Sequence, residues 1–101
     1  MEKRKPDHDL AEIKSAFADP ATLNRTFTAK QGADALRIDD AAVVSVIQNL
    51  SARDFEKSMT SIADHRIWQD VYKPQVGGQT LYVKFTLDSQ SALLLISFKE
   101  A

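Results

Sequence analysis

The sequence predicts an α+β fold in which helices come first and an antiparallel sheet follows. In the first half, hydrophobic residues recur every three to four positions, which is the spacing of amphipathic helices. From Lys57 onward they alternate instead, and β-branched and aromatic residues accumulate in short runs. This order is typical of an antiparallel sheet with its helices packed on one face. The 101 residues suffice for one core, so we expect a single compact domain over residues 1–101, helical at about 9–56 and a sheet at about 57–99.

Capping residues define the elements of the helical part. Asp9, Thr28 and Asp39 are residue types that accept hydrogen bonds from the free N–H groups at a helix N-terminus. A proline following Asp19 cannot continue the first helix. The predicted elements are a helix from Asp9 to Asp19, a small edge strand over Asn24–Thr28, a short helix from Thr28 to about Leu36, a well-buried helix from Asp39 to Leu50 and one further turn over Ser51–Asp54.

Four strands are predicted in the second half, separated by residues that favour turns. The predicted strands are Lys57–Ile62, Ile67–Lys73, Gln79–Leu87 and Ala92–Lys99. The turns between them fall at Asp64-His65, Pro74–Gly78 and Asp88–Ser91. The last two strands therefore form a hairpin with a four-residue loop.

The register of this hairpin divides its residues between two faces. If Asp88–Ser91 form the loop, Leu87 pairs with Ala92. The apolar face then contains Leu81, Val83, Phe85, Leu87, Ala92, Leu94, Ile96 and Phe98. The polar face contains Thr80, Tyr82, Lys84, Thr86, Leu93, Leu95, Ser97 and Lys99. On this register Tyr82 and Lys99 are diagonal neighbours, with Cβ atoms roughly 7–8 Å apart.

A tyrosine and two lysines on one sheet face, with Lys57 able to join them from the first predicted strand, predict a local positive site. Clustered ammonium groups lower each other's pKa, so that one of them can accept a proton. Cleavage of RNA by its own 2′-hydroxyl requires a base, donors for the phosphorane charge and an acid for the leaving oxygen, and no metal ion. Tyr, Lys and Gln can fill these roles, and DNA would resist because it lacks the nucleophile.

Composition restricts the other possibilities. The chain has no cysteine, which excludes disulfides and thiolate metal sites and favours a reducing compartment. Residues Met1 to Leu10 are charged, and no apolar run approaches the ~20 residues of a membrane span, so we expect a soluble cytoplasmic protein that does not contact membranes. The net charge of -1 argues against a broadly basic RNA-binding face. Any RNA site must therefore be a local cluster.

Other interpretations of the same residues remain open. Tyr and Lys are common on the solvent face of an antiparallel sheet without any catalytic role. His65 beside Asp64 is an alternative general base, although it fits equally well as a turn residue. Trp68 and Tyr72 alternate on one predicted strand and could either stack on bases or belong to the core. A metal-dependent hydrolase is disfavoured because Asp64, His65 and Asp70 lack the spacing of a metal site.

Several stretches of the chain resemble one bacterial toxin family. They are Asp54-Phe55-Glu56-Lys57-Ser58-Met59-Thr60, Asp64-His65, Ile67-Trp68-Gln69-Asp70-Val71-Tyr72-Lys73-Pro74, the start Met1-Glu2-Lys3-Arg4 with Pro6, and Ile96-Ser97-Phe98-Lys99-Glu100 at the end. Together they resemble the motility quorum-sensing regulator (MqsR) toxins over nearly the whole chain. A string of unlike residues of this length is more specific than a short motif.

The resemblance implies a RelE-like fold, which is a curved antiparallel sheet flanked by helices. It also implies the toxin of a type II toxin–antitoxin system, an endoribonuclease that cleaves messenger RNA, typically at GCU-type sites, and needs no cofactor. The family's proposed active-site residues fall on Lys57, Gln69, Tyr82 and Lys99. We expect Tyr82 or Lys57 to transfer protons, Lys99 to bind phosphate charge and Gln69 to orient a phosphate or base. Further substrate contacts are expected from Lys73, Lys84 and Trp68.

The resemblance implies a partner as well. This is an MqsA-like antitoxin with a zinc-binding N-terminal domain and a helix-turn-helix C-terminal domain, so zinc and operator DNA would be bound by the partner. A strand added to an exposed sheet edge is one way for the two proteins to associate. The alternative function is a non-catalytic RelE-like module that binds the antitoxin and cuts nothing, which the near-neutral charge favours. The Asp88–Ser91 loop is about two residues longer than is usual in the family.

Overall fold

The computed structural model describes residues 1–101, in which three α-helices pack on one face of a six-stranded antiparallel sheet. The helices are α1 (Leu10–Ala16), α2 (Phe27–Ala35) and α3 (Asp40–Gln48). The strands are β1 (Glu2–Lys3), β2 (Phe55–Thr60), β3 (Trp68–Tyr72), β4 (Gln75–Val76), β5 (Gln79–Leu87) and β6 (Leu93–Glu100). This architecture confirms the predicted α+β class. None of the helices has the length and apolar character needed to cross a bilayer.

Side-chain caps fix the starts of the helices. Asp9 and Asp39 cap α1 and α3 by accepting hydrogen bonds from backbone N–H groups at 3.0 and 2.9 Å, as predicted. The predicted cap of α2 is wrong, because Thr26 and not Thr28 accepts from Ala29, at 3.1 Å. The helix therefore begins two residues early and leaves no room for the predicted strand at Asn24–Thr28. Only Arg25 pairs there, through a single parallel bridge to Leu95.

The turn predicted at the end of the helical part is confirmed. Residues Ala52–Asp54 form a short 3₁₀ helix. The Asp54 carboxylate accepts from the Ser51 backbone N–H at 2.8 Å and from the Ser51 hydroxyl at 3.2 Å. A second 3₁₀ turn, Pro20–Thr22, follows α1 and is capped by Asp19.

The four predicted strands exist, and the structure adds two more. The predicted bounds of Gln79–Leu87 are correct, and the other three strands are displaced by one or two residues at each end. The sheet runs β1-β2-β3-β5, β6 pairs with the other edge of β5, and the two-residue β4 pairs with the start of β5. All of these pairs are antiparallel. Neither β1 nor β4 has an apolar alternation that would predict it.

The predicted register of the last hairpin is wrong. Leu87 pairs with Leu93 and not with Ala92, because the Asp88 carboxylate closes a longer loop by accepting from the backbone N–H groups of Gln90 and Ala92. Ser91 in this loop has a φ of 61°. A bulge then shifts the register again, since Phe85 pairs with Leu95 but Lys84 pairs with Ser97. Leu95, expected on the polar face, is consequently fully buried, whereas Leu94 and Ile96, expected in the core, are only half-buried.

The core lies between the helices and one face of the sheet. Each of its large side chains contributes roughly 1.5–3 kcal/mol by leaving water. The rings of Phe17 and Phe85 meet at 5.4 Å between centroids, and so join α1 to the middle of β5. The largest fully buried apolar residues of this core are Ile13, Phe17, Val43, Ile47, Leu50, Leu81, Val83, Phe85, Leu95 and Phe98.

A buried carboxylate anchors the N-terminal segment to the sheet. Asp70 in β3 is fully buried and accepts a hydrogen bond from the hydroxyl of Ser58 at 2.6 Å. The same carboxylate accepts from the backbone N–H groups of Asp7, at 3.1 Å, and His8, at 2.9 Å. Hydrogen bonds to an ionised carboxylate are the stronger kind. They fix the chain between β1 and α1 and so allow β1 to pair with β2.

Replacing Asp70 by Asn should destabilise the protein by about 2–4 kcal/mol, because an amide offers fewer acceptors and leaves buried N–H groups without a charged partner. Urea denaturation of wild type and variant measures this difference in the free energy of unfolding. Asp34→Asn, on an exposed face of α2, is the matched control and should change stability little. An Asp70→Asn variant as stable as that control would contradict the anchoring role.

Candidate active site

Cross-strand pairing places four polar side chains on the sheet face opposite the helices. Val71 pairs with Lys57 on one side and with Lys84 on the other, and residues paired in this way point to the same face. Tyr82 precedes Lys84 by two residues and pairs directly with Lys99. The polar cluster consists of Lys57, Tyr82, Lys84 and Lys99. The predicted juxtaposition of Tyr82 with Lys99 therefore exists, with the two residues directly opposite and not diagonal.

The ring of Tyr82 lies close to two of the cluster's ammonium groups. The distance from its centroid is 5.7 Å to Lys84 Nζ and 5.4 Å to Lys99 Nζ. Both distances are within cation–π range. The ring thus makes an attractive cation–π contact with each ammonium group, although the two ammonium groups repel each other.

The lysines of the polar cluster differ in their electrostatic environment. Burial lowers the pKa of Lys84, and the positive charges of Lys99 and Lys57 lower it further. Lys57 instead donates a hydrogen bond to the Glu2 carboxylate at 2.9 Å, and this bond and the charge of Glu2 raise its pKa. The cluster therefore contains one lysine that releases its proton more readily than usual and one that retains it.

Gln69 lies on the same face as the polar cluster. It pairs with Met59, and it alternates with Val71 along β3, which places its side chain on that side of the sheet. Its side chain is half-buried. The structure thus places Lys57, Gln69, Tyr82 and Lys99 on one surface.

Two aromatic residues considered for base stacking are placed elsewhere. Trp68 points to the opposite face of the sheet, where the ammonium of Lys3 lies 4.1 Å from its ring centroid. Trp68 therefore does not share a face with the polar cluster. Tyr72 is buried against Phe55 and Phe85, and burial raises its pKa to about 12.

The remaining candidates lie outside the polar cluster. Lys73 follows the end of β3, and its ammonium is 3.9 Å from the carboxylate of Glu56. His65 is exposed in the loop between β2 and β3. In the same loop Arg66 hydrogen-bonds Asp64 and lowers its pKa to about 2. No three His, Asp or Glu side chains are grouped in a way that could hold a metal ion.

Comparison with known proteins identifies the family. Residues 5–100 match the model of the family described as motility quorum-sensing regulator, toxin of MqsA. The chain belongs to this toxin family. It is 40% identical over 100 residues to the mRNA interferase toxin MqsR of Escherichia coli (strain K12), with 99% of each chain covered.

In this member of the MqsR toxin family, a groove of about 330 Å³ between α2 and β6 adjoins the polar cluster. Lys99 is common to both, and the groove's other lining residues are Thr28, Gln31, Gly32, Ser97 and Phe98. Gly32 allows the close approach of α2, because a Cβ there would overlap the carbonyl oxygen of Phe98. A larger concavity of about 580 Å³ lies between the end of α3 and the β4 turn, and no residue of the polar cluster lines it.

Sequence reasoning missed Glu2 and the groove. The groove residues lie on a helix and a strand that are distant in sequence, and no periodicity links them. Glu2 is reached only through the pairing of β1 with β2. The one sequence signal for Glu2 was its place in the stretch Met1–Arg4 that resembles the family.

Replacing Lys99 by Gln should raise the pKa of Lys84, because the charge of Lys99 is one of the causes that lower it. NMR titration of the side-chain signals of Lys84 measures the change. Lys30→Gln removes an exposed ammonium that pairs with Asp34 on α2, and it should leave the titration of Lys84 unchanged. Identical Lys84 titrations in wild type and Lys99→Gln would show that the two ammonium groups do not interact.

Proposed function

We propose that this chain is the toxin of a type II toxin–antitoxin pair and inhibits growth by cleaving messenger RNA without a metal ion. The observation that carries the proposal is the convergence of Tyr82, Lys84 and Lys99 on one sheet face, with both ammonium groups within 5.7 Å of the tyrosine ring centroid. The name of the relative from Escherichia coli supports it. Folding does not require this grouping, since three lysines near one another repel.

The proposed reaction is transesterification by the substrate's own 2′-hydroxyl. Lys84 in its neutral form takes the proton of that hydroxyl, the 2′-oxygen attacks phosphorus, and the bond from phosphorus to the 5′-oxygen breaks. Lys57, held protonated by Glu2, donates a proton to the departing 5′-oxygen. The products are a 2′,3′-cyclic phosphate and a 5′-hydroxyl. This division of roles follows from the opposite pKa shifts of the two lysines.

Charge on the phosphorane requires donors that are already in place. We assign this role to Lys99 and to the Tyr82 hydroxyl, and we assign to Gln69 the orientation of a phosphate or base. We assign contacts with flanking nucleotides to Lys73 and to the groove beside Lys99. Trp68 is left out, because it faces the other side of the sheet. Cleavage at GCU-type sites is part of the proposal and rests on the family likeness.

We further propose that the chain binds an MqsA-like antitoxin with a zinc-binding N-terminal domain and a helix-turn-helix C-terminal domain. The description of the family as the toxin of MqsA supports this partner. Zinc and operator DNA would then be bound by the antitoxin alone.

Adding such an antitoxin to the cleavage reaction should abolish RNA cutting, and persistent cleavage at a saturating antitoxin concentration would contradict the pairing.

Purified protein should cut messenger RNA in excess EDTA and leave DNA of the same sequence intact. Tyr82→Phe and Lys84→Met should each lower the rate by about 10²-fold, the size typical of losing one proton-transfer group or one donor to an oxyanion. Gel analysis measures the rates, and mapping of the fragment ends identifies the cyclic phosphate and tests for GCU sites.

Asp34→Asn is the control for general effects of charge, because it lies on an exposed face of α2 and should cut at the wild-type rate. Cleavage that depends on added metal would refute the mechanism. If RNA stays intact with wild type while the antitoxin still binds, the chain is the non-catalytic module that its near-neutral charge also allows.

A further inference from the structure

The N-terminal strand brings a carboxylate to the edge of the polar cluster. Glu2 pairs with Met59, two residues beyond Lys57 on the same face of β2. Its Oε1 accepts a hydrogen bond from Lys57 Nζ at 2.9 Å. The Glu2 side chain remains 60% exposed and that of Lys57 33% exposed, so both groups can be reached from solvent.

Strand β1 is held at both of its ends, so Glu2 is not a freely moving terminal residue. At the start, the Met1 ammonium donates to the hydroxyl of Thr60 at 2.9 Å, and the backbone N–H of Thr60 donates to the Met1 carbonyl at 2.9 Å. Beyond its end, the buried carboxylate of Asp70 binds the backbone of Asp7 and His8. These contacts fix where the Glu2 carboxylate can lie.

Charged groups around the Glu2–Lys57 pair shift the pKa values of both partners. Tyr82 from β5 and Glu56 on the same strand raise the pKa of Lys57, in addition to Glu2. Lys84 carries a like charge close enough to be affected by Lys57. Arg4 and the terminal ammonium lower the pKa of Glu2, after the larger effect of Lys57. The lowered pKa favours the ionised form of Glu2, which is the form that pairs with the protonated Lys57.

We infer that Glu2 is a positioning residue of the active site, which holds the Lys57 ammonium charged and aimed at the leaving oxygen while Lys84 is free to lose its proton. The inference rests on the proposed function. Without Glu2, three lysines would share one face with no carboxylate bound to any of them. No contact would then hold Lys57 protonated as the acid while Lys84 acts as the base. Strand β1 is on this account part of the active site.

Glu2→Gln keeps the shape of the side chain and removes its charge. At neutral pH, kcat for RNA cleavage should fall about two- to five-fold with little change in KM, the scale expected for an exposed ion pair. Because Glu2 raises the pKa of Lys57, its removal should also move the alkaline decline of kcat to lower pH. Glu2→Asp should keep that decline near its wild-type position, and Asp34→Asn should leave both kcat and the pH profile unchanged.

An NMR titration of Lys57 separates this inference from the proposed function. Its signals are assigned by their loss in Lys57→Arg, and in Glu2→Gln its pKa should be lower than in wild type. If wild type cuts no RNA but this shift occurs, the proposed function fails and the role of Glu2 in charging Lys57 stands. An unchanged Lys57 titration would overturn the inference. Faster cleavage by Glu2→Gln would also overturn it, because Glu2 would then compete with the substrate phosphate for Lys57.

Discussion

The pairing of β5 with β6, and the bulge within it, is the constraint on which the rest of the structure depends. Side chains alternate between the faces of a strand, so one extra residue reverses every assignment beyond it. Here the bulge lies between Leu95 and Ser97. It allows Leu95 and Phe98 both to enter the core and places Lys99 opposite Tyr82 on the other face. The core and the polar cluster are thus determined by the same feature of the backbone.

The local environment, more than the net charge of -1, makes the polar face suitable for a phosphate. Val71 is fully buried between Lys57 and Lys84, which shows that long side chains cover the middle of this face. The Lys57 side chain is 33% exposed, while the partial burial of Lys84 lowers its pKa. A nearly neutral protein can therefore present a positive site a few residues wide without a broadly basic surface.

Much of the architecture follows from local signals in the sequence. Asp9 and Asp39 were recognisable as caps, and the alternation of Leu81, Val83 and Phe85 determined both the bounds and the buried face of β5. The bulge could not be predicted, because it depends on how β5 and β6 pair after folding. The loop at Asp88 is closed by local hydrogen bonds to Gln90 and Ala92, but an aspartate at this position does not by itself indicate the length of the loop. Whether Trp68 lies on the same face as the polar cluster was also left open by the sequence, and the pairing of β2 with β3 places it on the opposite face. Within the candidate site, the predicted hairpin register put Tyr82, Lys84 and Lys99 on one face. Gln69 was identified only from the resemblance to the family.

The geometry of the polar cluster bears on the choice between a nuclease and a module that only binds. A binding surface gains from lysines that are well separated and fully solvated, because their charges then cost the fold little. In this protein, Lys84 is instead half-buried with Lys57 and Lys99 close enough to lower its pKa, and a carboxylate is provided for only one of the three. Groups whose pKa is shifted by burial and by neighbouring charges are typical of catalytic sites. The opposite pKa shifts of Lys57 and Lys84, which are chemically identical side chains, therefore favour acid–base chemistry over simple attraction of an anion.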